Sequence, residues 1–238
     1  MSEQMFDQFI EGSLLGDAYI SKINVFGFNH SDKQREYFNH KVDLLTSCGN
    51  KIRVSEESLP ETFIKDHKVG PTVKLIARTT KLHKWVILRD KWYPNGKKIV
   101  PTDLVLTPTA LAYWYMDDGS ANMRSKHNST VGGKKYEYIC QPYINQIRLY
   151  TDGFDVASQE LLEKRLKELG ITSRHYKRPC GLRFLIVTQL ESKERFKELV
   201  LPVMSQVPSM MYKIDRPLKS QFERLSEKAP LNSGDAIV

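Results

Sequence analysis

The sequence predicts an α+β fold made of two similar halves, each with the element order αββαββα. Its 238 residues suffice for two units of about a hundred residues, each able to bury its own core. Apolar residues at helical spacing occupy residues 4–17 and 106–118, and each segment ends on an aspartate that precedes a strand pattern. A similar succession of helices and strands follows both aspartates, which indicates an internal duplication.

The first half is predicted to contain three helices and four strands. The first helix has an apolar face that includes Phe6, Ile10 and Leu14. The second ends near Gly49, a residue suited to a C-terminal cap, and Pro94 stops the third. The helices are expected at residues 4–17, 33–49 and 81–94, and the strands in a hairpin at 18–30 and at 51–54 and 72–79.

The second half repeats this order. Thr107 can cap its first helix, and Pro108 suits the first turn. A stretch rich in Gly, Lys and Tyr at 128–142 is either an extended hairpin tip or a loop. The helices are expected at residues 107–118, 154–170 and 192–203, and the strands at 119–126, 144–151, 174–178 and 182–188. These patterns divide the chain into an N-terminal subdomain at 1–101, a C-terminal subdomain at 102–215 and a tail at 216–238 whose composition is compatible with disorder.

The composition is that of a folded, basic protein. Hydrophobic residues make up 40% and charged residues 27%, which excludes a disordered chain. The formal net charge of +8 favours a polyanionic partner such as nucleic acid, although charge that serves only solubility is the alternative.

The cysteines and the apolar segments bear on where the protein acts. Cys48, Cys140 and Cys180 are an odd number without a C-x-x-C spacing, which argues against a disulfide framework and a structural zinc site. A reducing intracellular compartment fits, and a mitochondrion or another organelle stays open. No secretion signal or membrane span is predicted.

The two helix-ending aspartates, Asp17 and Asp118, would meet if the halves packed about a pseudo-two-fold axis through their first helices. Two carboxylates at such a short distance either share a proton or hold cations between them. Oxygen ligands of this kind suit Mg²⁺, which can promote hydrolysis of a phosphodiester. The alternative for each aspartate alone is a turn residue at a helix-to-strand junction.

Gly12 and Gly16 support a close approach of the two helices. They lie four residues apart on one helix face, where their missing side chains would let another backbone come near. The matching positions of the second helix are Tyr113 and Asp117, so the packing is expected to be asymmetric. Small residues at Ala110 and Ala112 can compensate for them.

Several motifs together carry a family resemblance. IEGSLLGDA at 10–18 and LAYWYMDDG at 111–119 resemble the two nonapeptide motifs of the LAGLIDADG homing endonucleases, in the form that has both motifs in one chain. GDAYI at 16–20, KK-x-x-P at 97–101 and P-x-MMYK at 208–213 add to the likeness. It spans roughly residues 8–215 and is weak in the strands.

The resemblance implies two αββαββα subdomains whose sheets form a saddle over double-stranded DNA, in a monomer with an asymmetric target. It implies that Asp17 and Asp118 bind catalytic Mg²⁺ or Mn²⁺, with the backbone carbonyls of Gly16 and Asp117 as further ligands. The family's basic residues near the scissile phosphates match Lys98 and Lys213, which would orient water or neutralise transition-state charge. For either lysine alone, a solvated surface charge is the alternative.

Strand residues that alternate away from the helices are candidates for groove or phosphate contacts, because a two-stranded ribbon fits the major groove. An ordinary solvated strand face would have the same composition. The candidates are Ser21, Lys22, Asn24, His30, Arg53, Lys74, Arg78, Asn122, Arg124, Lys126, Asn145, Gln146, Arg148, Arg174, Lys177, Arg178 and Arg183.

The predicted function is a site-specific, Mg²⁺-dependent endonuclease of a mobile intron that hydrolyses both DNA strands. One rival is a DNA-binding protein that has lost cleavage, and another is an RNA maturase for the intron. A basic structural or ribosome-associated module would explain the charge but not the paired acids. The sequence lacks H-E-x-x-H, G-x-S-x-G and P-loop motifs, which argues against those chemistries. Aromatic residues 112–116 are assigned to a helix core rather than to a base-stacking platform.

Overall fold

The computed structural model describes residues 2–64, 67–131 and 134–218, and the side chains of 62–69 and 125–141 fall outside this description. Residues 219–238 also lie outside the described residues, and with them nearly all of the tail predicted at 216–238.

Helices and strands follow each other in the predicted order, with one additional hairpin in the first half. The helices are α1 (Glu3–Leu15), α2 (Arg35–Ser47), α3 (His83–Trp92), α4 (Pro108–Asp118), α5 (Val156–Glu168) and α6 (Leu190–Met204). The strands are β1 (Tyr19–Ile20), β2 (Phe26–Ser31), β3 (Ile52–Leu59), β4 (Thr62–Ile64), β5 (His67–Val69), β6 (Thr72–Thr79), β7 (Gly119–Val131), β8 (Lys134–Tyr150), β9 (Arg174–Lys177) and β10 (Arg183–Val187). Short 3₁₀ turns occupy Asp32–Gln34 and Pro208–Lys213.

Two four-stranded antiparallel sheets share one strand order. The first sheet runs β1-β2-β6-β3 and the second β7-β8-β10-β9. In each sheet the first two strands are neighbours. The other two, β3 and β6 in the first sheet and β9 and β10 in the second, follow in reversed order, so that the later strand lies next to the first pair. The α+β fold with a repeated element order, predicted from the sequence, is therefore confirmed.

Both halves carry more strand than the sequence patterns indicated. β3 continues to Leu59, and the small hairpin of β4 and β5 follows where no strand was predicted. β7 and β8 pair as far as Val131 and Lys134, so residues 128–131 and 134–142 belong to an extended hairpin and not to a loop. β3 escaped full prediction because most of its side chains are exposed, which removes the apolar alternation that marks a half-buried strand.

Helix α4 lies at the centre of the molecule. All its residues from Ala110 to Met116 are buried. Tyr113 packs edge-on against Phe9 of α1 at 4.8 Å between ring centroids, and Tyr115 packs against Phe196 of α6 at 4.9 Å. The aromatic run is thus a helix core, as predicted. Among the described residues, no helix combines the length and apolar character that a bilayer span requires.

Glycines of α1 set its distance from α4. A Cβ atom on Gly12 would overlap the backbone of Ala110, and one on Gly16 would overlap the Cβ of Asp117. The close and asymmetric helix approach predicted from these glycines is confirmed. It brings the C-terminal ends of the two helices together.

We expect Gly12→Ala to destabilise the protein by about 1–3 kcal/mol, because the added methyl group must push α1 away from α4. Thermal unfolding would show a lower midpoint. Gly153→Ala is the matched control, since a Cβ at Gly153 meets no atom within 4 Å among the described residues. Equal midpoints for the two variants would contradict the tight helix contact.

Candidate active site at the paired helix ends

Asp17 and Asp118 lie at the same end of the α1/α4 helix pair. The capping N–H of Gly16 turns back to the Ser13 carbonyl, which ends α1 and leaves Asp17 just beyond it. Asp118 is the last residue of α4. The halves meet directly here, because the backbone N–H of Asp17 donates to Oδ2 of Asp117 at 3.3 Å.

Both carboxyl groups have raised pKa values. Burial is the main cause of the rise in the pKa of Asp17 to about 7, and the charges of Asp117 and Asp118 add to it. Burial and the charge of Asp117 raise the pKa of Asp118 to about 6, against the opposing pull of Lys98 and Lys213. The surroundings of each carboxylate therefore disfavour its negative charge, and a bound cation would compensate that charge.

Lys98 lies at the end of α1. Its Nζ donates to the carbonyl oxygens of Gly16 at 3.2 Å and Ala18 at 2.7 Å. Burial lowers the pKa of Lys98 to about 8, although the three neighbouring aspartates oppose this. Lys98 and Asp118 also line a cavity of about 270 Å³ beside the helix ends.

Lys213 occupies the corresponding place at the end of α4. It is buried, and its Nζ donates to the carbonyl oxygens of Tyr115, Met116 and Asp117. Burial lowers its pKa too. Each lysine follows the last helix of its own half and meets the unpaired carbonyls at a helix C-terminus, where positive charge is favoured. The solvated-surface interpretation of these lysines is therefore wrong.

The side chain of Asp117 forms a buried polar cluster that the sequence interpretation missed. Its carboxylate accepts hydrogen bonds from Tyr37 Oη at 2.8 Å and from Lys41 Nζ at 3.0 and 3.1 Å. The side chains of Lys41 and Asp117 are both fully buried. Lys41 falls on the apolar face of α2 with Tyr37 and Phe38, and a lysine within such a stripe is the signal that could have revealed the cluster.

His30 lies inside the fold, and the prediction that it contacts DNA is wrong. Phe26, Phe28 and His30 alternate on the face of β2 that packs against the helices. The His30 ring lies near Tyr37, at 5.0 Å between centroids, and faces the carboxylates of Asp17 and Asp117. Burial, then the charge of Lys41, lowers its pKa to about 4.

A family model described as the LAGLIDADG DNA endonuclease family matches residues 7–196. The chain belongs to this family. The probable intron-encoded endonuclease 1 of Wickerhamomyces canadensis is 28% identical over 214 residues, which cover 85% of this chain and 80% of that protein. The structure of the homing endonuclease I-WcaI bound to its DNA recognition sequence matches with a TM-score of 0.70 at 23% identity, over 91% of this chain and 88% of that one.

Other curated relatives are longer proteins. Protein RecA of Mycolicibacterium flavescens is 32% identical over 227 residues, which cover 90% of this chain and 47% of that protein. The chain thus spans about half the length of the first curated relatives it matches.

In this LAGLIDADG family member, the outer sheet faces hold many of the predicted DNA contacts. Arg53 and Arg78 are cross-strand partners on the outer face of the first sheet, and Lys74 alternates in phase with Arg78. On the second sheet, Asn122 pairs with Gln146, and Ser120 pairs with Arg148. Ile186 lies between Arg148 and Arg174 on that same outer face. Their contact with DNA stays a prediction.

Two predicted DNA contacts lie on the opposite face. Lys177 and Arg183 are cross-strand partners, and they alternate in phase with His175 and Leu185. Leu185 is buried in the core, and His175 pairs with Glu163 of α5 at 3.1 Å, so this is the helix side of the sheet. Lys177 and Arg183 therefore do not share the outer face with Arg174, and their contact with DNA stays a prediction.

The remaining candidates lie at turns, bulges or strand ends. Ser21, Lys22 and Asn24 belong to the β1–β2 turn, where Asn24 has φ +58 and the Ser21 hydroxyl accepts from the Val25 N–H. Arg124 is exposed next to a register shift. Asn145 contributes its carbonyl to Lys193.

Arg178 pairs with Asp152 at 3.3 Å and lies over the Tyr150 ring. The side chain of Lys126 is outside the described residues.

Proposed function

We propose that the chain is a monomeric, site-specific homing endonuclease that hydrolyses both strands of a long asymmetric DNA duplex with Mg²⁺ or Mn²⁺. The observation that carries this proposal is that Asp17 and Asp118 lie at the same end of the α1/α4 helix pair, each beside a lysine that donates to the carbonyls of a helix end. Family membership and the DNA-bound I-WcaI structure support the substrate class.

The donor set fits hard divalent ions. Asp17 and Asp118 offer carboxylate oxygens, and the pKa values of both carboxyl groups are raised by burial and by the charge of Asp117. The carbonyls of Gly16 and Asp117 offer further oxygens, and each also accepts a hydrogen bond from a lysine. When bound, the ions would supply Lewis-acid stabilisation of charge on the scissile phosphates.

The chain's own residues supply position and charge. Asp17 and Asp118 come from the two pseudo-symmetric halves, so each is suited to one of the two scissile phosphates. Lys98, which is half-buried, and Lys213, which is buried, add positive charge at those points, where charge develops in the transition state. Arg53, Lys74 and Arg78 on one sheet and Arg148 and Arg174 on the other would hold the duplex through phosphate and base contacts. Because the two sheets differ in sequence, the target is asymmetric.

Incubation with a library of randomised duplex DNA, followed by sequencing of the ends, tests this proposal. We expect double-strand cuts at one long site in Mg²⁺, and binding with little cutting in Ca²⁺. Tight duplex binding without any cut would favour the inactive DNA-binding rival. A preference for intron RNA over duplex DNA would favour the maturase.

Metal and pH should act together on the stability of the DNA-free protein. A carboxyl group whose folded pKa exceeds its unfolded value of about 3.9 stabilises the fold when protonated, and that contribution is lost as pH rises through the folded pKa. For Asp17 that loss begins near the unfolded pKa and is nearly complete just above pH 7. Relative to Asp17→Asn, we expect the thermal midpoint of the wild type in EDTA to fall between about pH 5 and 7 and to level off above about pH 7.5, and saturating Mg²⁺ to remove this difference.

Asp17→Asn is the control, because it cannot ionise at this position. The depressed pKa of His30 adds stability as pH rises through part of the same range, but His30 is present in both proteins, so its contribution cancels in the comparison. An equal midpoint slope in the wild type and Asp17→Asn would contradict the raised pKa of Asp17.

A further inference from the structure

His30 is a buried side chain whose hydrogen-bonding capacity is unmet. Its side chain is 1% exposed, and among the described residues neither ring nitrogen has a hydrogen-bond partner. Nδ1 lies 3.6 Å from Oδ2 of Asp17, and Nε2 lies 3.8 Å from Oδ1 of Asp117. Both distances are too long for a hydrogen bond. The side chain of Gln34 also interacts with the ring, but outside hydrogen-bonding geometry. Because a buried polar group without a partner is unfavourable, this arrangement points to a missing ligand.

We propose that Asp17, His30 and Asp117 form a site for a first-row transition metal, with Zn²⁺ as the representative ion. One ligand atom from each residue lies within 4.8 Å of the others. An imidazole nitrogen with two carboxylate oxygens is a donor set that Zn²⁺ accepts and that Mg²⁺, which prefers oxygen, has little use for. The proposed Mg²⁺ ligands are all oxygens, so the His30 nitrogen gives this site a different metal preference.

The surroundings both support and limit this site. His30 is fixed by the rings of Phe28 and Tyr37, so its orientation toward the carboxylates needs no ordering when a metal binds. Lys41 opposes the metal, since its ammonium group lies 3.0 Å from Oδ2 of Asp117. Its repulsion should make the affinity for Zn²⁺ lower than that of a structural site with four protein ligands.

Sharing of Asp17 has a functional consequence, and this part of the inference depends on the proposed endonuclease activity. A Zn²⁺ ion held by Asp17 and His30 occupies a carboxylate that the Mg²⁺ site needs. Zn²⁺ should therefore inhibit cleavage in Mg²⁺, and excess Mg²⁺ should relieve the inhibition, because both ions compete for the Asp17 carboxylate.

Metal titration of the DNA-free protein tests the site. Co²⁺, which absorbs visible light strongly in a tetrahedral site, is the spectroscopic probe, and Zn²⁺ competing with a chromophoric chelator gives the affinity. We expect His30→Phe to lower the Zn²⁺ affinity at least about tenfold and to remove the Co²⁺ absorption. Affinity for Mg²⁺ should stay within about twofold. His30→Phe keeps an aromatic ring against Phe28 and Tyr37, and His30→Gln replaces it if the phenylalanine variant does not fold.

His40→Phe is the matched control. His40 lies in the same half, where its Nε2 bonds to the Tyr113 hydroxyl at 2.9 Å, and its replacement should leave Zn²⁺ binding unchanged. Equal Zn²⁺ affinity in the wild type and His30→Phe would overturn the proposal. Zn²⁺ binding that needs His30, in a protein that cuts no DNA, would support the site and refute the nuclease function. Cleavage in Mg²⁺, together with Zn²⁺ binding that does not depend on His30, would support the nuclease function and refute the proposed Zn²⁺ site.

Discussion

Replacement of either Asp17 or Asp118 by asparagine is expected to slow double-strand cleavage by about 100-fold or more while making the metal-free protein more stable. The amide keeps the shape of the carboxyl group but removes the charge that binds a cation, and loss of several kcal/mol of transition-state stabilisation gives a rate change of this size. At about pH 8 the carboxyl group is ionised although burial and repulsion by neighbouring aspartates disfavour its charge, and the change to asparagine removes this unfavourable charge. Single-turnover cleavage and thermal unfolding in EDTA measure the two effects.

Opposite signs are the informative part of this result. A residue that only supports the fold would lose activity and stability together when replaced. Asp103→Asn is the control, because Asp103 is exposed and pairs with Lys91 of α3 at 3.0 Å. It should change neither quantity measurably. If Asp17→Asn or Asp118→Asn lowered the thermal midpoint in EDTA, the view that these carboxylates destabilise the metal-free protein would be wrong.

The positions of Asp17 and Asp118 could be predicted because they follow from local rules. An apolar helical pattern that ends at a strand fixes where the last residue of the helix lies. Two glycines on one face, Gly12 and Gly16, then indicate which face approaches a partner helix. The duplicated element order supplies the partner, and the two helix ends must meet. No long-range information was needed beyond the repeat itself.

The polar cluster beneath the site could not be predicted in the same way. Asp117 looks like a duplicate of the neighbouring Asp118 in the sequence, yet its side chain points into the other half and meets Lys41. The pseudo-equivalent position in α1 is Gly16, whose missing side chain leaves room for the Cβ of Asp117. Symmetry between the halves therefore fails at this position. Patterns read from one segment at a time do not report a contact that only the packing of both halves creates.

The sheet face to which a strand residue points depends on the register of the strand, and the predicted DNA contacts turned out to lie on both faces. Alternation places His30 in phase with Phe28, which identifies it as buried once the core face of β2 is known. Lys177 and Arg183 are likewise in phase with Leu185. A shift of one residue exchanges the two faces, so basic composition alone cannot separate groove residues from residues on the helix side.

Lys41→Met should lower the free energy of unfolding by about 3–5 kcal/mol, the largest stability effect expected for a single change in this protein. The ammonium group of Lys41 is fully buried, and it provides the charge that compensates the equally buried carboxylate of Asp117. Removal of one partner leaves the other charge without compensation in a site that water does not reach. Denaturant unfolding measures the loss, with Lys164→Met on the exposed face of α5 as the control.

The double variant Lys41→Met/Asp117→Asn separates the ion pair from the packing of its members. The amide introduced by Asp117→Asn needs no counter-charge, and its oxygen can still accept the hydrogen bond that Tyr37 donates to the carboxylate. We therefore expect the double variant to recover much of the stability lost by Lys41→Met, with a coupling free energy of about 2 kcal/mol or more. Additive losses would mean that the two side chains act independently.

Such coupling would have meaning for the site, because Lys41 belongs to α2 of the first half and Asp117 to α4 of the second. Asp117 also accepts the backbone N–H of Asp17, so the ion pair and the first predicted metal ligand share one carboxylate. A buried pair of this kind adds little to stability compared with apolar packing, but it penalises any arrangement in which the halves shift and leave one charge alone. The relative placement of Asp17 and Asp118 is therefore enforced by the neighbour that precedes Asp118 in the sequence.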